Sequence, residues 1–156
     1  MQDLIDDLNA TLRRESARLL AISDDAAARR PAEDKWSAKE IIGHLIDSAT
    51  NNHGRFVRAA LSDEMVFPGY DQESWVRVQR HNERSWPDLV RLWELLNHNI
   101  AALVGCMSPD SLSRLRGTHN LDQIAWRTLP RTDPVTLEYF VRDYVAHMQH
   151  HLGQIE

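Results

Sequence analysis

Four stretches of this chain repeat apolar residues at spacings of three, four and seven, a period that suits an α-helix and no other regular element. In the first, Leu4, Ile5, Leu8, Leu12, Leu19 and Leu20 punctuate a charged run between Asp3 and Ile22. The second follows Ser37, with Glu40 in the capping-box position and Ile41, Ile42, Leu45, Ile46, Ala49, Phe56, Val57 and Ala60 behind it. This run predicts about 24 residues of helix, weakened locally by Gly54. The third begins after Ser85, with Pro87 in its first turn, Asp88 at the capping-box position and a stripe from Leu89 through Trp93 and Ile100 to Val104. The fourth, from Pro134 or Thr136 to Ile155, places Leu137, Phe140, Val141, Tyr144, Met148, Leu152 and Ile155 on one broad face.

The intervening segments read as connections. Pro68-Gly69 marks a turn, residues 71–80 predict a short helix across the end of the domain, and a second short helix is expected around Leu112 to Leu115. Residues 117–130 carry no periodic signal. No segment alternates with period two between hairpin turns. The expectation is therefore an all-α fold, a four-helix bundle with long connections and short extra helices, forming a single domain over residues 1–156. The connection after the second helix is long enough to cross the bundle end, so the simple up-down-up-down order is not forced.

Composition narrows the function. The 156 residues are 42% hydrophobic and 26% charged, enough for one core without disulfides. A net charge of −5 with no basic stripe argues against nucleic acid as a partner. No apolar run approaches the roughly 18 residues that a membrane span needs. The acidic start lacks the features of a secretory leader, so a cytoplasmic location is expected. Cys106 follows the apolar run Ile100 to Val104 and reads as a buried small hydrophobe rather than a nucleophile.

The compositional excess is in histidine, with eight in the chain and His147, His150 and His151 close together. Residues four apart stack on one helix face, so His147 and His151 can both reach one ion. Asp143 continues the row one turn earlier. His150 is rotated away from this pair and is assigned to solvent or a subunit contact. His44, between Ile41 and Leu45, reads either as a third ligand or as a core-edge histidine bonded to a neighbouring helix. His53, His81, His98 and His119 have no spacing that singles them out, and solvated positions are expected for them.

These residues also resemble a family. Trp36-Ser37-Ala38-Lys39-Glu40-Ile41-Ile42-Gly43-His44-Leu45-Ile46-Asp47-Ser48 is similar to the W-S-x-x-E-x-x-x-H-L-x-D-S block of the DinB-like superfamily, which includes the YfiT-like metal-dependent hydrolases. The run from His147 to Ile155 resembles its H-x-x-H-H-x-x-Q-I ending, and Tyr70-Asp71-Gln72 with Trp75 resembles its middle segment. The resemblance implies a four-helix bundle holding one divalent metal ion, zinc or nickel, through His44, His147 and His151. It also implies chemistry of the hydrolase or thiol S-transferase type, with a small molecule or low-molecular-weight thiol as substrate, and a homodimer.

Three protein ligands leave a coordination position open, as catalysis requires. The alternative is a metal-stabilised binding or stress-response module without turnover. Asp47 and Asp143 are candidates to orient the imidazole N–H groups of the ligands, and otherwise are solvated helix-face carboxylates. Tyr144 and Trp75 either line the pocket or belong to the core. No residue stands out as a general base.

Overall fold

The computed structural model describes residues 1–155. All four long helices form: α1 (Gln2–Leu20), α3 (Ala38–Leu61), α5 (Trp86–Gly105) and α8 (Leu137–Leu152). The connections carry the short helices α2 (Asp24–Ala28), α4 (Gln72–Gln79), α6 (Pro109–Ser113) and α7 (Leu121–Ile124), and a 3₁₀ turn at His81–Glu83. They also carry β1 (Glu64–Met65) and β2 (Thr118–His119), which pair in parallel with Glu64 opposite Thr118. That ladder joins the loop after α3 to the loop before α7, a pairing with no alternating sequence pattern behind it.

In the bundle α1 packs on α5 and α8, and α3 packs on the same two helices. The consecutive long helices α1 and α3 therefore lie across a diagonal, as do α5 and α8, and the order is not up-down-up-down. Long connections make this possible, because those from α1 to α3 and from α5 to α8 must traverse the bundle end to reach the opposite corner, while α3 and α5 are neighbours. Leu8, Leu12 and Leu19 of α1, Trp93 and Ile100 of α5, Leu45 and Phe56 of α3 and Phe140 and Met148 of α8 meet in one apolar core.

The helix starts show local signals winning and losing. Ser37 forms the predicted capping box: its side chain accepts from Glu40 N and Glu40 accepts from Ser37 N. Thr136 caps α8 by accepting from Tyr139 N at 3.1 Å. Ser85 makes no side-chain cap, and the expected box with Asp88 does not form. Instead Asp24 of α2 accepts from Trp86 N at 2.8 Å while its other oxygen takes the buried Lys39 ammonium at 2.7 Å. A residue from a distant connection thus caps α5 and ties it to α3. Helix α8 ends at Leu152, short of the predicted Ile155, where the Arg18 guanidinium donates to Leu152 O and Ile155 O. The cation thus caps carbonyls at and just beyond the end of the helix, Leu152 O also accepting from Ile155 N.

Other single-residue expectations change. Cys106 is exposed at the C-terminal cap of α5, beyond the apolar stripe rather than within it. His81 and His119 are buried, not solvated. His119 accepts from Leu121 N through Nδ1 and donates through Nε2 to Asp133 O, so it braces the loop around β2. His81 packs against Gly43 so closely that a Cβ there would lie 2.1 Å from its ring. Only glycine leaves that space, which lets the 3₁₀ turn seat against α3 one residue before His44.

Candidate metal centre

The capping box fixes where α3 begins, and with it the position of His44 two turns along the helix. His147 and His151 follow on successive turns of α8, which packs directly on α3. The three rings close into a triangle, with centroids 5.2 Å apart for His44 and His147, 4.9 Å for His44 and His151, and 4.6 Å for His147 and His151. The Nε2 atoms of His44 and His147 stand 3.2 Å apart, and one nitrogen from each of the three lies within 4.8 Å of the others. Two nitrogens bound tetrahedrally to one ion at 2.0–2.1 Å are separated by about 3.3 Å, so the observed spacing fits a shared ion. No Asp, Glu or Cys joins this group among the described residues.

The electrostatics agree with that fit. Burial, with repulsion from His151, pushes His44 down to about 4. Burial, with repulsion from His151, His44 and His150, pushes His147 down to about 3. Burial also lowers His151, partly offset by its bond to Gln154. All three are therefore neutral imidazoles near pH 7, which is the ligating form. One proton shared between two rings would satisfy only that pair, whereas an ion satisfies all three.

His151 is oriented by Gln154, whose Oε1 lies 2.8 Å from its Nδ1 and leaves Nε2 free to face the other rings. The sequence reading overlooked Gln154, although a partner three residues along a helix end is within reach by spacing alone. Trp36 covers His44 with ring centroids 5.2 Å apart, and Trp126 stands 6.3 Å from His147 and 5.2 Å from the exposed His150. Trp126 comes from the segment without periodicity, so no sequence signal marked it.

Asp47 and Asp143 do not orient the histidines. Three residues after His44, Asp47 has turned toward α4, where both of its oxygens accept from Gln79 Nε2 at 2.8 Å. Among the described residues, His44 Nδ1 is left without a hydrogen-bond partner. Asp143 accepts from the backbone N–H groups of Trp126 and Arg127 at 2.9 and 2.8 Å. It is neither a solvated carboxylate nor a partner of His147; it anchors the loop that carries Trp126 over the site.

The triangle lies at one end of a cavity of about 210 Å³. Ser48, Asn52 and Arg55 continue the wall along α3, Asp143 and Tyr144 along α8, and Tyr70 and Trp126 come from the loops. Tyr144 serves both roles that the sequence left open: it is buried in the core and also lines the cavity, with its hydroxyl donating to Asn97 Oδ1 at 2.6 Å. Trp75 does neither; it is partly exposed and packs on Tyr70 with centroids 4.7 Å apart.

A family model described as the DinB superfamily matches residues 7–155. The chain belongs to the DinB superfamily. Two relatives, one from Oceanobacillus iheyensis and YfiT from Bacillus subtilis, are named provisionally as metal-dependent hydrolases. The first is 20% identical over 136 residues, covering 87% of this chain and 72% of the relative. YfiT is 22% identical over 120 residues, covering 77% of this chain and 62% of the relative.

In solved structures, YfiT superposes with a TM-score of 0.75 at 19% identity, covering 99% of this DinB-superfamily chain and 85% of its own. Its four-helix bundle is described as having an unusual topology. A mycothiol-dependent maleylpyruvate isomerase superposes with a TM-score of 0.71 at 12% identity, covering 99% of this chain and 60% of that one. At these identities the likeness establishes the fold alone.

Proposed function

We propose that this DinB-superfamily protein is a metal-dependent enzyme that uses one divalent ion, zinc or nickel, on His44, His147 and His151 to activate water or a thiol. The observation that carries this reading is the convergence of three neutral imidazoles, without a fourth protein ligand among the described residues, on an open polar cavity. A structural site would be closed by its own side chains, whereas three ligands leave room for an exchangeable group. Bound there, the ion supplies acidified water or a stabilised thiolate as nucleophile.

The chain's own residues do the positioning. Gln154 fixes the tautomer and tilt of His151. Trp36 and Trp126 keep bulk water from the edges of the imidazole triangle, and Asp143 holds Trp126 in place through the backbone. Tyr144, pinned by Asn97, stays protonated because burial pushes its phenol well above the ordinary value. The names of the curated relatives favour hydrolysis, and the thiol-dependent fold neighbour favours transfer to or from a low-molecular-weight thiol.

The test is elemental analysis of untagged protein beside His44→Ala and His151→Ala, followed by assays of thiol transfer to an alkyl halide and of ester hydrolysis. One equivalent of zinc or nickel, lost in both variants, with metal-dependent turnover in either assay is the expected result. Protein that takes up no metal on reconstitution would overturn the site. Stoichiometric metal with no turnover would return the protein to the non-catalytic module.

A further inference from the structure

Two arginines are almost fully buried, and they are buried differently. Arg116, 1% exposed, donates to the carbonyls of Ser62, Arg114, Ala59 and Ser111 and so closes the C-terminal end of α3. Its charge is spent on helix-end dipoles. Arg55, 5% exposed, donates from Nη2 to Pro68 O at 2.7 Å and only weakly from Nη1 to Asn52 Oδ1 at 3.3 Å. A guanidinium has five N–H donors. No carboxylate pairs with Arg55 among the described residues, and burial pulls its pKa down, opposed only by the neighbouring Tyr70 phenol. An uncompensated buried charge is costly, and such a cost persists where a ligand removes it.

Its place in the fold says which ligand. Arg55 follows His44 by eleven residues on α3, and at about 100° per residue this returns it to within about 20° of the same helix face. Both side chains line one cavity, with Ser48 and Asn52 between them. Tyr70, on the same wall, keeps its proton because burial raises it to about 12, so its hydroxyl remains a donor. Histidine donors for a metal thus stand at one end of the cavity and an unpaired guanidinium at the other.

Resting on the reading of the site as a metal-dependent enzyme, we infer that Arg55 anchors an oxyanion group, carboxylate or phosphate, of the small substrate whose reactive end reaches the three histidines. A planar guanidinium binds either group through two parallel hydrogen bonds, which sets the orientation of the rest of the molecule along the cavity. Asn52 holds Nη1 and Pro68 O holds Nη2, so the fork is already aimed before the ligand arrives.

The experiment titrates metal-free and zinc-loaded full-length protein with succinate and, separately, with inorganic phosphate, reading Trp126 fluorescence and the Arg55 Nε–H signal in ¹H–¹⁵N spectra. Saturable binding of at least one anion that shifts Arg55 but not Arg116 is expected. The more strongly bound anion tells carboxylate from phosphate. Arg55→Gln should weaken binding by roughly thirtyfold or more, the least expected when one partner of a buried charge pair is truncated. Arg55→Lys keeps a charge at the same depth and should bind at an intermediate strength, which serves as the reading if Arg55→Gln fails to fold. Absence of binding of both anions to wild type, an unmoved Arg55 signal, or equal binding by the variants would overturn the inference. Anion binding by protein that takes up no zinc would support Arg55 and refute the metal site; zinc uptake without anion binding would do the reverse.

Discussion

The two sides of the bundle, α1 with α5 and α3 with α8, meet in one core but do not contribute to it alike. Helices α1 and α5 face it mainly with Leu4, Leu8, Leu12, Leu19, Leu89, Trp93, Ile100 and Val104, beside the buried polar residues Thr11, Glu15, Ser16 and Asn97. The seam between α3 and α8 buries His44, Asp47, Ser48, Asn52, Arg55 and Asp143 among its apolar residues. Burying polar groups costs free energy unless they find partners. Several here have them within the protein; among the described residues His44 Nδ1 has none and Arg55 bonds only Asn52 and Pro68, while on the other side Ser16 Oγ and Trp93 Nε1 also lack partners. The difference teaches that α1 and α5 form the more apolar scaffold while α3 and α8 carry the cavity-lining groups proposed above to meet an ion and an anion.

Three measurements can break or sharpen that contrast. The largest effect is expected on the apolar side: Trp93→Ala empties a fully buried position and should cost about 3–5 kcal/mol in urea unfolding, without abolishing zinc binding at temperatures where the protein stays folded. A cost below that of a surface substitution would mean that this half of the core is not the scaffold. The next effect belongs to the polar side. Zinc at about a hundred times its Kd should stabilise the native state by about 2.7 kcal/mol, and His147→Ala should remove the whole of that gain. Stabilisation that survives in His147→Ala would place the ion elsewhere.

The gentlest lever is pH. In metal-free protein, His44 and His147 have folded-state values near 4 and 3, below the 6.5 of a free imidazole, and burial also lowers His81 and His151. The unfolded chain therefore binds more protons than the native one in this window. Stability from these groups is present above pH 6.5 and drains away as pH falls from there through 4 toward 3. Denaturation midpoints at pH 7, 6 and 5 should decline in wild type and decline less steeply in His44→Gln. Parallel slopes would show that the buried imidazoles do not differ between folded and unfolded states.

The stripes of Leu4 to Leu20 and Leu89 to Val104 were sufficient to predict α1 and α5, because helical periodicity is a local property that any core-facing helix must satisfy. Ser37 with Glu40 set the start of α3 for the same reason: both halves of a capping box lie within one turn. The three histidines were legible from spacing on α8 and from the resemblance of the His44 block, and the structure brings all three together.

What the sequence could not decide depends on partners far along the chain. Asp24 displaces Ser85 as the cap of α5, Asp143 turns to the backbone of Trp126 and Arg127 instead of to His147, and Gly43 is needed because His81 packs against it. The diagonal pairing of α1 with α3, the Glu64–Thr118 ladder and the convergence of Arg55 with the histidines on one cavity are of the same kind. Amphipathic patterning says which face of a helix is buried but not which neighbour covers it. A buried donor or acceptor takes whichever partner the assembled fold brings within hydrogen-bonding distance.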